Sequence, residues 1–76
     1  MGQGLYPELK EILLAYECLF VRQGKGSHEI WRSPITNKAF SVPFTIVSRH
    51  TANAILRQAG INKKIYPTVR WVFYKE

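Results

Sequence analysis

Two segments with helical spacing of apolar residues enclose three short runs of strand-forming residues, and this order constrains the fold most strongly. The chain has 76 residues, so it holds at most one domain and can bury only one small core. Two amphipathic helices bury their apolar stripes best when both pack on the same face of a three-stranded antiparallel sheet. The sequence therefore predicts an α+β fold in the order helix, strand, strand, strand, helix, with the other sheet face open.

The elements can be placed from local signals. The first helix is predicted over residues 7–17, with Pro7 in its first turn. Strands are predicted over residues 19–23, 28–32 and 38–42, separated by turn-forming residues 24–27 and 33–37, and Pro43 stops the third strand. The second helix has Ser48 as a candidate N-cap and Gly60 as its terminator.

The last fifteen residues, 62–76, fit this scheme less well because they are too apolar for a free tail. Three interpretations fit these residues: an added strand, a segment that docks on a partner, or an apolar C-terminus particular to this chain. The apolar residues concerned are Ile65, Tyr66, Val69, Trp71, Val72, Phe73 and Tyr74.

Positive charge is concentrated in the middle of the chain. The net charge is +6 and the sequence pI is about 9.8. Residues 1–18 are net acidic, whereas residues 19–64 carry a single acidic residue, Glu29, against eight basic ones: Arg22, Lys25, Arg32, Lys38, Arg49, Arg57, Lys63 and Lys64. A basic centre on a small domain attracts a polyanion, either a nucleic acid or an acidic protein. A merely solubilising surface is the alternative.

Composition excludes several kinds of chemistry. Two histidines, one cysteine and no aspartate cannot supply a tetrahedral metal site of the usual spacing, so no metal and no cofactor are expected. Cys18 follows an apolar helix and is interpreted as a small core residue. A lone cysteine also excludes an internal disulfide and fits a reducing cytoplasm. Neither a membrane span nor a secretory signal is indicated.

His28 is the candidate for acid–base chemistry because of its position. It begins a predicted strand directly after a glycine-rich turn that contains Lys25, and it shares one strand face with Ile30 and Arg32. Imidazole titrates near neutral pH and can both accept and donate a proton. The turn lacks the spacing of a P-loop, but its N–H groups and the Lys25 ammonium can face a phosphate. A plain glycine hairpin fits the spacing of the turn equally well, and a lone histidine on a strand is more often non-catalytic than catalytic.

The run over residues 20–31, Phe-Val-Arg-Gln-Gly-Lys-Gly-Ser-His-Glu-Ile-Trp, resembles the signature of HicA (YcfA-like) toxins, in which Lys-Gly-Ser-His follows the first strand. The resemblance continues through Phe-Ser-Val-Pro at 40–43 and Ala-Ile-Leu-Arg-Gln-Ala-Gly-Ile at 54–61. It covers about residues 5–61, with the expected order and spacing.

This resemblance implies a fold like a double-stranded-RNA-binding domain, cleavage of messenger RNA, and a HicB-like antitoxin as partner. The catalytic histidine of the family falls on His28, and the glycine and serine before it fall on Gly26 and Ser27. Many members carry a histidine just after the Val-Pro step, where Phe44 and Thr45 stand here, so no second catalytic histidine is assigned. Residues 1–61 are then the RNA-cleaving domain and residues 62–76 a C-terminal extension.

The resulting hypothesis is a metal-independent endoribonuclease in which His28 transfers a proton. The phosphate backbone would be held by basic side chains and by the glycine-rich turn, the residues concerned being Arg22, Gly24, Lys25, Gly26, Ser27, Arg32 and Lys38. The antitoxin is expected to cover His28 and residues 24–27. A non-catalytic RNA-binding module is the main alternative, and a protein-interaction module that binds an acidic partner is the other.

Overall fold

A computed structural model describes residues 4–66 of the chain. The elements are α1 (Tyr6–Ala15), β1 (Leu19–Gln23), β2 (His28–Ser33), β3 (Lys38–Pro43) and α2 (Arg49–Gln58). The three strands form one antiparallel sheet in the order β1-β2-β3. The predicted α+β fold, like that of a double-stranded-RNA-binding domain, is therefore confirmed.

Helix α1 is shorter than predicted: it ends at Ala15 rather than at residue 17. Glu17 has a φ of 67°, in the left-handed region, which closes the helix with a capping turn. In this turn the Glu17 N–H donates to the Leu14 carbonyl and the Cys18 N–H donates to the Leu13 carbonyl. The turn reverses the chain so that Cys18 is buried and β1 can begin at Leu19.

Helix α2 begins and ends as predicted. The Ser48 side chain accepts a hydrogen bond from the Thr51 N–H at 3.2 Å, so it caps the N-terminus. Gly60 follows the helix with a φ of 80°, and a Cβ at this position would lie 2.8 Å from Cγ2 of Ile35. Both the backbone conformation and the available space therefore require glycine here.

The sheet pairing is regular between β2 and β3 and irregular between β1 and β2. His28 lies opposite Pro43 and Ser33 lies opposite Lys38, so β2 and β3 each extend one residue beyond the prediction. A bulge between Phe20 and Arg22 interrupts the pairing of β1. Pro43 is tolerated because β3 is an edge strand and the proline is its last residue.

A single core lies between both helices and one face of the sheet, which places the two helices on the same side. The sheet contributes Trp31, Phe40 and Val42 to it, and Cys18 is buried there as predicted. The helices and loops contribute the remaining buried apolar residues, Leu9, Ile12, Leu13, Ile46, Ala52, Ile55, Leu56, Ala59, Ile61 and Ile65. The opposite face of the sheet carries no element of the described chain.

The packed structure continues past α2 as far as Ile65. The Asn53 side chain of α2 accepts a hydrogen bond from the Ile65 N–H at 2.7 Å and donates one to the Ile65 carbonyl at 3.1 Å. Ile65 is buried and Tyr66 is exposed. The three interpretations of the C-terminal residues depend mainly on residues 67–76, which lie outside the described part of the chain.

Candidate functional site

The loop formed by residues 24–27 joins β1 to β2 and presents His28 at its end. The Gly24 N–H donates to the His28 carbonyl at 2.8 Å, and the His28 N–H donates to the Lys25 carbonyl at 3.2 Å. Gly26 has a φ of 61°, and a Cβ at this position would have no neighbour within 4 Å. The glycine is therefore needed for the backbone conformation of the turn and not for space.

His28 is exposed and projects from the open face of the sheet. Along β2 the side chains alternate, with Trp31 and Ser33 buried in the core and His28 and Arg32 exposed on the other face. The predicted series of His28, Ile30 and Arg32 on one face is consistent with this alternation. Within residues 4–66 the His28 ring makes no hydrogen bond, so both ring nitrogens are accessible to a substrate.

Three backbone N–H groups of the loop are available to a ligand. Gly24 uses its N–H within the hairpin, whereas those of Lys25, Gly26 and Ser27 have no hydrogen-bond partner among the described residues. The Ser27 carbonyl accepts from the Phe44 N–H at 2.9 Å, which ties the loop to the end of β3. Consecutive N–H groups without partners attract anions such as phosphate.

Two of the four predicted basic side chains lie close to His28 along the chain and the sheet. Lys25 is exposed in the loop itself, and Arg22 lies opposite Ile30, on the same sheet face as His28. The bulge of β1 decides this position, because regular alternation from Phe20 would have turned Arg22 toward the helices. The end of the sheet that carries His28 therefore combines two cations with three N–H donors.

Arg32 and Lys38 are placed differently. Arg32 shares the face of His28 but lies four residues further along β2, about 13 Å away, and its Nη1 donates to the Asn37 carbonyl. Lys38 lies opposite Ser33 at the far end of the sheet, about 17 Å from His28 along the strand direction. The structure therefore brings neither Lys38 nor Arg32 next to His28.

The carboxylate nearest in sequence, Glu29, faces the helices and not His28. Its Oε1 accepts hydrogen bonds from the Tyr6 hydroxyl at 2.7 Å and from Nε1 of Trp31 at 3.0 Å. Burial, followed by the hydrogen bond and the charge of Glu29, raises the pKa of Tyr6 to about 12. Glu29 and Tyr6 therefore form a structural pair between α1 and β2, and neither assists His28.

Other groups with catalytic potential also lie elsewhere. His50 is the second residue of α2, on the helical side of the sheet. Burial raises the pKa of the Cys18 thiol, an effect that a hydrogen bond with Ser33 partly offsets, so this buried cysteine is a poor nucleophile. No group of three metal-ligating side chains occurs within residues 4–66. His28 is the histidine that the sheet presents beside the loop.

Gln23 contacts the loop beside His28, and the sequence interpretation missed this residue. Its Nε2 donates to the His28 carbonyl at 3.1 Å and to the Gly26 carbonyl at 3.3 Å. A glutamine at the end of a strand is ordinarily a surface residue, and only the return of the hairpin brings both carbonyl groups within its reach.

Comparison with known proteins decides the family. A model of the HicA toxin of bacterial toxin–antitoxin systems matches residues 6–61, which is more than half of the chain. The chain belongs to the HicA toxin family. No curated protein and no solved structure gives a significant match.

Membership of the HicA family confirms the resemblance drawn from residues 20–31, 40–43 and 54–61. The matched range of the HicA model contains both helices, all three strands, the loop of residues 24–27 and His28. A HicA toxin is the toxin of a toxin–antitoxin pair, so membership of the family implies a cognate antitoxin as partner. No helix within the described residues of this HicA chain is long and apolar enough to cross a membrane.

Proposed function

We propose that this HicA toxin is an endoribonuclease that cleaves messenger RNA with His28 as its proton-transfer residue. The proposal rests mainly on one observation: an exposed histidine ring projects beside a loop whose Lys25, Gly26 and Ser27 N–H groups are without partners among residues 4–66. This arrangement combines an imidazole ring, which can both accept and donate a proton, with donors that suit a phosphate.

The chemistry follows from the reactivity of RNA itself. His28 accepts the proton of a ribose 2′-hydroxyl as its oxygen attacks the adjacent phosphorus. The bond from phosphorus to the 5′-oxygen then breaks, and the departing oxygen takes a proton from solvent or from a protonated His28. The products are a 2′,3′-cyclic phosphate and a free 5′-hydroxyl, and no further reactant is needed. General acid–base assistance of this kind contributes about 10²- to 10⁴-fold in rate.

The loop and its cations bind the reacting phosphate in this proposal. The N–H groups of Lys25, Gly26 and Ser27 face the charge that develops on the phosphoryl oxygens, where preorganised donors have their largest effect. Lys25 and Arg22 neutralise backbone phosphates, and Arg32 contacts a phosphate further along the strand. Since these groups contact phosphate and not base edges, we expect weak sequence preference.

The test is the metal dependence and the end chemistry of the cleavage. The full sequence has no aspartate and only two histidines, and the described residues hold no metal-ligating cluster. We therefore expect purified toxin to cleave single-stranded RNA in excess chelator and to leave 2′,3′-cyclic phosphate ends. Cleavage that disappears with chelator and returns with magnesium would contradict this mechanism, and RNA binding without cleavage would favour the non-catalytic module instead.

We infer that the HicB-like antitoxin silences the toxin by covering His28 and residues 24–27 with an acidic or neutral surface. The open sheet face carries Arg22 and Arg32 together with His28, and no element of the described chain lies over it. In the complex, we expect the His28 ring to become protected from carbethoxylation by diethyl pyrocarbonate, with His50 as the internal reference. A fully inhibited complex in which His28 reacts as fast as in free toxin would rule out occlusion.

A further inference from the structure

Gln23 lies at the junction between β1 and the loop of residues 24–27, which is followed by His28. It is the last residue of β1, and its side chain extends across the hairpin toward the residues that follow it. Its single amide nitrogen donates to two carbonyl groups, those of Gly26 at 3.3 Å and His28 at 3.1 Å. One exposed side chain therefore connects the middle of the loop with the first residue of β2.

The hydrogen bond to Gly26 fixes the orientation of a whole peptide unit. The Gly26 carbonyl and the Ser27 N–H belong to the same planar trans peptide and point in opposite directions. With the carbonyl held toward Gln23, the Ser27 N–H points away from it, and there it has no partner among residues 4–66. Within residues 4–66 the contact from Gln23 is the hydrogen bond that this peptide itself makes, and it favours this direction of the Ser27 N–H.

Without this contact no hydrogen bond within residues 4–66 holds the peptide between Gly26 and Ser27 directly, although the Lys25 and Ser27 carbonyl groups on either side of it accept from the His28 and Phe44 N–H groups. Gly26 is in the left-handed region with open space around it, and glycine samples a wide range of backbone angles. The second contact of Gln23 acts differently, since the His28 carbonyl is already held by the Gly24 N–H at 2.8 Å. The effect specific to Gln23 is therefore the orientation of the peptide between Gly26 and Ser27.

We propose that Gln23 is a positioning residue for RNA cleavage: it holds the Gly26 carbonyl so that the Ser27 N–H faces the reacting phosphate beside His28. The role rests on the proposed function of His28. Gln23 itself does not touch the substrate; it acts through the loop. A donor that is displaced by about 1 Å can lower a rate by about a hundredfold, and partial loss of orientation is expected to cost about tenfold.

The experiment compares Gln23→Leu with the matched control Gln58→Leu in the full chain. Both changes replace an exposed glutamine with a residue of similar size that lacks a donor, and Gln58 lies at the end of α2. Initial rates of cleavage of a mixed-sequence single-stranded RNA are measured over a range of RNA concentrations up to saturation. We expect the kcat of Gln23→Leu to fall about tenfold with KM changed less than about twofold, and Gln58→Leu to keep the parent values of both.

A second variant and a spectroscopic readout complete the test. Gln23→Glu keeps the shape of glutamine but removes the donor, so its kcat is expected to fall similarly while its charge raises KM. Amide NMR signals of Gly26 and Ser27 are expected to shift or broaden in both Gln23 variants, with signals of α1 and α2 unchanged.

The outcomes separate this inference from the proposed function. If His28→Ala is inactive but Gln23→Leu keeps the parent kcat, the positioning role is overturned and the function of His28 stands. An increase in KM alone for Gln23→Leu shows a direct contact with RNA and also overturns it. If folded His28→Ala cleaves RNA at the parent rate, the proposed function fails regardless of Gln23.

Discussion

Replacement of His28 by alanine is expected to lower RNA cleavage by about 10²-fold or more and to abolish toxicity in cells, while the chain stays folded. The loss follows from removal of the imidazole ring that projects beside the loop donors. Folding is preserved because His28 is exposed and its ring makes no hydrogen bond within residues 4–66. Exposed substitutions of this kind change the free energy of unfolding within about ±0.5 kcal/mol. Cleavage rate and thermal melting are the measurements.

Two further variants locate the effect of His28→Ala in chemistry and not in binding. RNA affinity should survive in His28→Ala because the phosphate-binding groups remain. Lys25→Ala is expected to weaken RNA binding and to make the slope of the logarithm of the binding constant against the logarithm of salt concentration shallower by about one. Cleavage is expected to be partly retained at high RNA concentration. His50→Ala should change neither property, since His50 lies on α2 behind the sheet. Parent-rate cleavage by folded His28→Ala would refute the enzymatic assignment.

The fold could be predicted from the sequence because the local signals agree with one another. The apolar residues of both helices repeat at helical spacing, and Ser48 and Gly60 mark the ends of α2 where the structure has them. The end of α1 could not be predicted in the same way. Glu17, a residue with no special preference for positive φ, occupies the left-handed position that glycine usually fills, and tertiary packing of Cys18 and the following strand holds it there.

The site was only partly predictable. The position of His28 follows from the length of the loop and from strand alternation, and its proposed role comes from the family. The position of Arg22 depends on the bulge of β1, and no residue near the bulge would have predicted it from the sequence. Lys38 was grouped with His28 because both are in the basic centre of the chain, but antiparallel pairing places them at opposite ends of the sheet. The concentration of basic residues in one part of the sequence does not tell how far apart their side chains lie along paired strands.

Replacement of Trp31 by alanine should have the largest effect on stability. Trp31 is 1% exposed, packs edge-on against Phe20 with ring centroids 6.0 Å apart, and donates from Nε1 to Glu29 at 3.0 Å. Loss of a buried tryptophan side chain costs about 3–5 kcal/mol. A domain of this size has a total stability near the lower end of the usual range of about 5–15 kcal/mol. We therefore expect Trp31→Ala to be largely unfolded at 37 °C and to have lost cleavage for that reason.

The matched control for Trp31→Ala is Trp31→Phe, which keeps an aromatic ring in the core but removes the hydrogen bond to Glu29. Its cost should be about 1–3 kcal/mol, so the protein is expected to stay folded and to cleave RNA at close to the parent rate. Urea unfolding followed by circular dichroism measures both variants. His28 and Trp31 are three residues apart on β2 and lie on opposite faces. A change at His28 is therefore expected to affect the cleavage rate, and a change at Trp31 the free energy of unfolding. A Trp31→Ala protein as stable as the parent would show that the sheet does not pack on the helices as described, and the placement of His28 on the open face would fall with it.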